Sequence, residues 1–204
     1  MKILVIGGTG IIGSALVTLL REEHEVIAVG HTKGDYIVDI ENKNSLKELF
    51  EKIGPVDGII STTGGGYLGP FLEQKNEEID VAINSKLKGQ IDLVRTGFSS
   101  VNENGFIILT TGAASHTFMP GSSSISMATA GLNAYVRAIN IERQNGVRIS
   151  AVSPAFVKET AEMMHLELPN LISAADTARV YKMVMDSNES GIIAEVPEYI
   201  NSEK

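Results

Sequence analysis

The sequence predicts a single α/β domain in which an open, doubly wound parallel β-sheet of about seven strands carries helices on both faces. Short β-branched runs alternate along the chain with longer segments of helical period, which is the pattern of βαβ units. Several runs are apolar on consecutive residues, as in ILVIG and FIILT, and such strands are covered on both sides in parallel sheets. Because no composition break divides the 204 residues, we expect residues 1–204 to form one domain.

Seven segments carry the strand pattern, and each is short and rich in β-branched residues. In chain order they are Lys2–Ile6, Val26–Val29, Tyr36–Val38, Val56–Ser61, Phe106–Thr111, Val147–Ser153 and Ile192–Val196. Since helical segments separate most of them, we expect neighbouring strands to run parallel.

The first two helices of the chain are predicted from apolar residues that repeat with the period of one helix face. The stripes are Ile12, Leu16, Leu19 and Leu20 in the first helix and Leu46, Leu49, Phe50 and Ile53 in the second. Ser45 and Glu48 have the spacing of a capping box, which predicts where the second helix begins.

Three later helices are predicted. Two long ones lie at about Glu77–Ser99 and Ser126–Asn145, and Gly146 is expected to end the second in a left-handed conformation. A last helix begins at Ser173. Its inward-facing residues are predicted to be Ala178, Tyr181 and Val184. The segment Val157–Asn170 precedes it and is predicted to be a mobile flap over a small or open substrate pocket.

The composition excludes several functional classes. A hydrophobic fraction of 43% with 21% charged residues indicates a globular protein rather than a disordered one. The net charge of −8 repels phosphate backbones, so we expect no nucleic-acid partner. No apolar stretch approaches the roughly 18 residues that cross a bilayer, so we expect no membrane partner. An amino terminus without an export signal and the absence of cysteine lead us to expect a cytoplasmic protein.

Metal and hydrolase chemistry are not expected either. The four histidines lack ligand-like spacing, so no metal site is predicted. No G-x-S-x-G nucleophile elbow is present, and a chain without cysteine has no thiol nucleophile.

A glycine-rich turn follows the first predicted strand and opens onto the first helix. Its residues are Gly7, Gly8, Thr9, Gly10, Ile11, Ile12 and Gly13. Glycines at this place allow a tight turn, close approach of the backbone to a diphosphate, and packing of the helix on the strand. Unpaired amides at the helix start then meet the phosphates. The turn predicts a Rossmann-type dinucleotide site; a glycine turn without a ligand is the alternative.

The end of the second strand indicates which dinucleotide is bound. An acidic residue there would hydrogen-bond the ribose and repel a 2′-phosphate, but the sequence has Gly30, His31, Thr32 and Lys33. An imidazole, a hydroxyl and an ammonium can together hold the extra phosphate. NADP(H) is therefore favoured over NAD(H), with a solvated loop as the alternative role for His31 and Lys33.

These residues resemble the short-chain dehydrogenase/reductase family, and the likeness extends over nearly the whole chain. The glycine turn has the G-x-x-G-x-x-G form of the family's atypical members. Asp39-Ile40 looks like the pair that contacts adenine, and Ser61-Thr62-Thr63-Gly64 occupies the place of the family's Asn-Asn-Ala-Gly. Leu87-Lys88-Gly89 is similar to the start of the family's long dimer-forming helix.

Two further segments resemble family motifs at the nicotinamide end. Thr110-Thr111 stands where the family has Ser-Ser, and Val152-Ser153-Pro154-Ala155 resembles its Ser-Pro-Gly turn. The resemblance implies that NADP(H) lies across the carboxyl ends of the strands. It also implies a homodimer or homotetramer formed through the two long helices. The cofactor contacts implied beyond the glycine turn and the His31 loop are Asp39, Ile40, Ser61, Thr62, Gly64 and Pro154.

The sequence departs from the family at the active site. Members usually reduce a carbonyl through a Tyr-x-x-x-Lys pair, and no such pair occurs in this chain. Alignment on the run Ala130-Gly131-Leu132 puts Ile125 at the tyrosine position and Thr129 at the lysine position. Neither side chain does acid–base chemistry near neutral pH, so an atypical member is indicated.

Lys86 stands where the family has an asparagine, three residues before Gly89; a shifted register places Asn84 there instead. Partial desolvation near the nicotinamide would lower the pKa of a lysine into the range useful for proton transfer. We therefore hypothesise that Lys86 supplies a charge or a proton in place of the missing pair. A surface lysine at a helix start is the alternative.

Other side chains are expected near the cleft. Tyr67 follows three glycines and is a candidate acid, and Thr111 is a candidate for orienting a substrate carbonyl. Packing alone is the alternative for Tyr67, and an ordinary strand-end hydroxyl for Thr111. His116 follows the fifth predicted strand and is a lone loop histidine. The serine run Ser122–Ser124 is predicted to supply the N-cap of a helix, and Ser126 lies nearby.

Two functions remain open at this point. The first is an NADP(H)-dependent oxidoreductase that passes hydride to a small carbonyl-like substrate, while a nonstandard group or water donates the proton. The second is a weakly active or inactive NADP(H)-binding sensor that reports through a partner. The enzyme is favoured because the resemblance is to a family of enzymes.

Overall fold

The computed structural model describes residues 1–142 and 144–202 and contains a seven-stranded parallel sheet of order β3-β2-β1-β4-β5-β6-β7. The strands are β1 Lys2–Ile6, β2 Glu25–Gly30, β3 Tyr36–Ile37, β4 Val56–Ser61, β5 Val101–Thr110, β6 Arg148–Ser153 and β7 Ile193–Glu195. All six pairings are parallel. The predicted doubly wound α/β fold is confirmed.

Eight α-helices connect and follow these strands in the described residues. They are α1 Ile11–Leu20, α2 Lys43–Ile53, α3 Asn76–Val81, α4 Gln90–Gly97, α5 Ser123–Ile139, α6 Lys158–Met163, α7 Ala174–Asp186 and α8 Val196–Ser202. A π-helical segment, Ala82–Gly89, joins α3 to α4, so the predicted long helix contains one widened stretch. No helix among the described residues is long and apolar enough to cross a membrane.

Two apolar cores hold the helices on opposite faces of the sheet, because successive strand side chains point to opposite faces. On one face, Leu4 and Ile6 of β1 belong to a core with α2, α4 and α5. On the other, Ile3 and Val5 belong to a core with α1 and α7. The continuous apolar pattern of β1 is the sequence signal for this double cover.

The start of α2 differs from the prediction. Asn42 is the N-cap, and its Oδ1 accepts hydrogen bonds from the amides of Asn44 and Ser45 at 2.9 and 3.3 Å. Ser45 lies inside the helix, where its Oγ accepts a hydrogen bond from the Asp39 amide at 3.0 Å. The predicted capping box of Ser45 and Glu48 is therefore wrong, because an asparagine three residues earlier satisfies the first amides.

The end of α5 was also predicted too late. The helix ends at Ile139, where Asn140 donates from Nδ2 to the carbonyls of Val136 and Ile149, each at 2.7 Å. These bonds tie the chain to β6 and turn it away from the helix axis. Gly146 has a φ of +68°, but it follows a 3₁₀ turn and does not cap α5. Residue 143 of the predicted helix lies outside the described residues.

The predicted helix start at Ser173 is confirmed, but this helix is not the last one, because α8 follows β7. Ser173 is the N-cap of α7, and its Oγ accepts a hydrogen bond from the Asp176 amide at 3.0 Å. All three predicted inward residues of α7 are buried: Ala178, Tyr181 and Val184. The predicted flap, Val157–Asn170, contains α6 and is anchored by a bridge between Val157 and Ile172. Its mobility stays a prediction.

Candidate active site

Two cavities adjoin each other along the carboxyl ends of the strands, and Gly64 after β4 lines both. Each has a volume of about 380 Å³. The first, which we call the turn cavity, lies against the glycine turn and the end of β2. The second, which we call the inner cavity, lies among the ends of β5 and β6, the π-helical segment and α5. Open parallel sheets bind ligands at this edge.

The structure brings most predicted cofactor contacts to these cavities. Those lining the turn cavity are Gly7, Thr9, Gly10, His31, Asp39, Ile40, Thr62 and Gly64. Those lining the inner cavity are Ile12, Gly64 and Pro154. Predicted contacts that line neither cavity are Gly8, Ile11, Gly13, Thr32, Lys33 and Ser61.

The glycine turn is fixed by its own backbone. The amides of Gly7 and Gly8 both donate to the Val29 carbonyl, at 2.8 and 2.9 Å, and the Gly10 amide donates to the Gly7 carbonyl at 2.9 Å. A Cβ on Gly13 would lie 2.0 Å from the Gly7 carbonyl oxygen, so this position takes only glycine. The first amides of α1 have no intrahelical acceptor, and the helix begins directly after Gly10, which lines the turn cavity. Helix starts of this kind are favourable places for phosphate groups.

The loop after β2 has no acidic residue before Asp35. Asp35 is held elsewhere: its Oδ2 accepts hydrogen bonds from the Ala28 amide at 2.8 Å and from Arg21 Nη2 at 3.1 Å. His31 lines the turn cavity, whereas Thr32 and Lys33 are exposed beside it. The predicted phosphate contacts of Thr32 and Lys33 therefore require their exposed side chains to reach toward a bound ligand.

The end of the sheet is tightly connected behind the cavities. Ser61 is fully buried, and its Oγ hydrogen-bonds Thr63 Oγ1 at 2.7 Å, so Ser61 supports the loop rather than lining a cavity. Thr110 Oγ1 donates to the Ser61 carbonyl and also contacts the Tyr181 hydroxyl. Burial raises the pKa of the Tyr181 phenol. These bonds connect β4, β5 and α7.

The inner cavity brings together the two residues at the family's tyrosine and lysine positions and the candidate residue Thr111. Ile125 and Thr129 of α5 both line it, and so does Thr111 at the end of β5. Thr129 Oγ1 donates to the Ile125 carbonyl at 2.8 Å, so its hydroxyl hydrogen is used within the helix. The Thr111 amide donates to the Val152 carbonyl at 2.9 Å, which fixes the threonine against β6.

Lys86 is buried in the wall of the inner cavity, with 6% of its surface exposed. It lies in the π-helical segment, and its side chain packs on Gly64, where a Cβ would come 2.4 Å from Lys86 Cδ. Burial lowers the pKa of the ammonium from 10.5 to about 8. The alternative of a surface lysine is wrong, because the loop after β4 covers it.

Comparison with known proteins shows the family. The family model described as enoyl-(acyl carrier protein) reductase matches residues 14–194. The chain is 24% identical over 167 residues to L-xylulose reductase of Mesocricetus auratus, covering 74% of this chain and 68% of that protein. It is 26% identical over 170 residues to acetoacetyl-CoA reductase of Synechocystis sp., covering 76% and 71%. The chain belongs to the short-chain dehydrogenase/reductase family. The expectation of an oxidoreductase is thereby confirmed at the level of the family.

Solved structures share the fold. Protein lin1944 of Listeria innocua is 36% identical to this short-chain dehydrogenase/reductase, with a TM-score of 0.91 over 96% of this chain and 99% of that one. A small-chain dehydrogenase in complex with NADPH, 23% identical, has a TM-score of 0.86 over 96% and 95%, and shares the fold. Among the curated relatives, oxidoreductase UcpA of Escherichia coli is covered over only 54% of its length.

Gln90 is a residue that the sequence did not indicate as part of the candidate site. It is fully buried; its Nε2 donates to the carbonyls of Lys86 at 3.0 Å and Thr110 at 2.8 Å, and its Oε1 accepts from the Thr110 amide at 3.0 Å. It thus joins the π-helical segment to the end of β5. π-Helical turns are frequent at functional sites. No sequence pattern gives this link, because the partners are 20 residues apart.

Two other candidate residues do not line the inner cavity, and the predicted serine N-cap is confirmed in position but not in its hydrogen bond. Tyr67 is 50% exposed and does not line the inner cavity with Lys86 and Thr111. His116 is half-exposed, lines neither cavity, and lies 3.6 Å from Glu195. Ser122 is the N-cap of α5 and lines the inner cavity, but its hydroxyl makes no capping bond and hydrogen-bonds Met119 instead.

Proposed function

We propose that the chain is an NADP(H)-dependent oxidoreductase that acts on a small carbonyl-like substrate without the Tyr-x-x-x-Lys pair of its family. The observation that carries the proposal is the junction of the two cavities at Gly64. The glycine turn supports a diphosphate in the turn cavity, and Lys86 and Thr111 line the adjoining inner cavity. A dinucleotide spanning both places its reactive ring beside these side chains.

The preference for NADP(H) over NAD(H) rests on the loop after β2. With Asp35 bonded to Ala28 and Arg21, no carboxylate at the end of β2 faces the turn cavity to repel a 2′-phosphate. Asp39 and Glu41 also line this cavity, and the Asp39 carboxylate accepts a hydrogen bond from the Glu41 amide at 3.0 Å. We assign Asp39 and Ile40 to the adenine side and His31, Thr32 and Lys33 to the extra phosphate.

The chemistry divides between cofactor and protein. When bound, a nicotinamide cofactor would supply the hydride for the carbonyl carbon, and one proton taken up at the carbonyl oxygen would complete the alcohol. Lys86 provides positive charge beside the oxygen, and the proton comes from its ammonium or from a water molecule. Thr111 orients the carbonyl. Loss of a positioned acid typically lowers turnover by about 10²- to 10⁴-fold. An enzyme without the Tyr-x-x-x-Lys pair therefore keeps a slower turnover, because the cofactor and the fold still bring hydride donor and acceptor together.

The experiment is NADPH consumption with pooled aldehydes, ketones, quinones and small oxo acids, run on wild type, Lys86→Met and Lys47→Met. Lys47 is an exposed lysine on α2 and serves as the control. We expect oxidation of NADPH by wild type and by K47M, and a turnover at least about 10²-fold lower in K86M. Equal turnover in K86M contradicts the role of Lys86. Tight NADPH binding without turnover of any pool favours the sensor function instead.

A further inference from the structure

Lys86 is the one charged side chain among the described residues that line the inner cavity. The other lining side chains are apolar or carry a hydroxyl, and no carboxylate, imidazole or guanidinium is among them. Aliphatic and aromatic groups such as Ile12, Leu68 and Phe156 supply walls for a small carbon skeleton. The cavity therefore combines an apolar surface with a single point of positive charge.

The ammonium has no counter-ion among the described residues. In the described part of the chain, residues 1–142 and 144–202, no ion pair involves Lys86. By contrast, Lys88, two residues further along the chain, forms a salt bridge with Asp92. Burying an unpaired charge is unfavourable, and the chain has 25 acidic residues from which a partner could have come. An anion entering the cavity would remove this penalty.

We propose that the inner cavity binds small organic carboxylates, and that the substrate is a small oxo acid whose carboxylate pairs with the Lys86 ammonium. The proposal rests on the proposed function only in taking the inner cavity as the substrate site. With Lys86 paired to the carboxylate, the proton for the carbonyl oxygen comes from a water molecule. Thr111 faces the carbonyl part of the same molecule, and the apolar wall covers its carbon skeleton. Lys86 determines specificity for acids over neutral carbonyl compounds.

The position of Lys86 favours a substrate anion over the phosphates of the cofactor. Lys86 lines the inner cavity and does not line the turn cavity, where the amides at the start of α1 receive a diphosphate. Its aliphatic stem packs on Gly64, which lines both cavities at their junction. The anion is therefore expected to belong to whatever occupies the inner cavity.

The experiment compares two molecules of the same shape, benzoate and neutral benzamide, as ligands of protein saturated with NADP⁺. Calorimetric titrations are made on wild type, Lys86→Met and the control Lys47→Met, after thermal melts show that each is folded. We expect wild type and K47M to bind benzoate at least about tenfold more tightly than benzamide, since a charged hydrogen bond contributes about 1.5–3 kcal/mol. K86M is expected to lose this preference and to keep its affinity for NADP⁺.

Each other outcome is decisive. Equal affinity for the two molecules in wild type, no binding of benzoate, or an unchanged preference in K86M overturns the proposal. Loss of NADP⁺ affinity in K86M shows that the lysine serves the cofactor, which also overturns it. Should wild type fail to bind NADP⁺, the proposed function fails separately. The same pair of ligands titrated into cofactor-free protein then decides whether the cavity prefers acids.

Discussion

Lys86 links the stability of the protein to pH through its burial. Its pKa is about 8 in the folded chain and 10.5 in the unfolded one, so between these values the unfolded state holds more protons. The free energy of unfolding therefore rises as pH increases through this window. A shift of about 2.5 pH units, from 10.5 to about 8, corresponds to on the order of 3 kcal/mol.

The prediction is tested by urea unfolding of wild type and Lys86→Met between pH 7 and 10.5. K86M lacks the buried charge, so we expect its stability relative to wild type to be greatest at pH 7 and to fall by on the order of 3 kcal/mol toward pH 10.5. Groups common to both proteins cancel in the difference. A difference that stays constant with pH contradicts the buried, unpaired ammonium.

At the scale of elements, Gln90 holds the π-helical segment against β5. Replacing it with leucine leaves the amide and carbonyl of Thr110 without their side-chain partner in a buried place. We expect Gln90→Leu to lower the free energy of unfolding by about 2–3 kcal/mol, because unsatisfied buried groups keep their desolvation penalty. Denaturant unfolding measures this change in the free energy of unfolding, and Gln144→Leu at an exposed position is the control. Equal stability of Q90L and Q144L contradicts the role of Gln90.

The elements that local patterns define were predictable from the sequence. The strand β1 and the stripe of α2 are visible because their apolar residues repeat with the period of the element. The predicted boundaries were wrong where polar residues begin an element. The exposed run Asn102–Asn104 lies within β5 although it has no apolar pattern. At the start of α2, Asn42 is the N-cap in place of Ser45.

The site was predictable only in part, for a physical reason. The glycine turn is local, so its place between strand and helix could be derived from spacing. The burial of Lys86 depends on Gly64, and the link through Gln90 depends on Thr110, and each partner lies about 20 residues away along the chain. Tyr67 looked suitable beside three glycines, but its loop carries the ring outside the inner cavity.

At the scale of the whole molecule, we propose a homodimer or homotetramer that uses α4 and α5, as the family resemblance implies. Ala134 is an exposed residue of α5. We expect Ala134→Arg to shift the mass toward that of the monomer of 21.9 kDa, because a charge would be buried at a close helix contact. Light scattering after gel filtration measures the mass. Glu51→Arg on the exposed side of α2 is the control, and a monomeric wild type contradicts the proposal.

The central claim is that the cavities joined at Gly64 hold NADP(H), with Lys33 near the extra phosphate. Fluorescence titration of NADPH and NADH into wild type and Lys33→Gln tests it most directly. We predict saturable binding of both cofactors by wild type, with NADPH the tighter, and a weakened affinity of K33Q for NADPH alone. Absence of binding of either cofactor to folded wild-type protein would contradict the account.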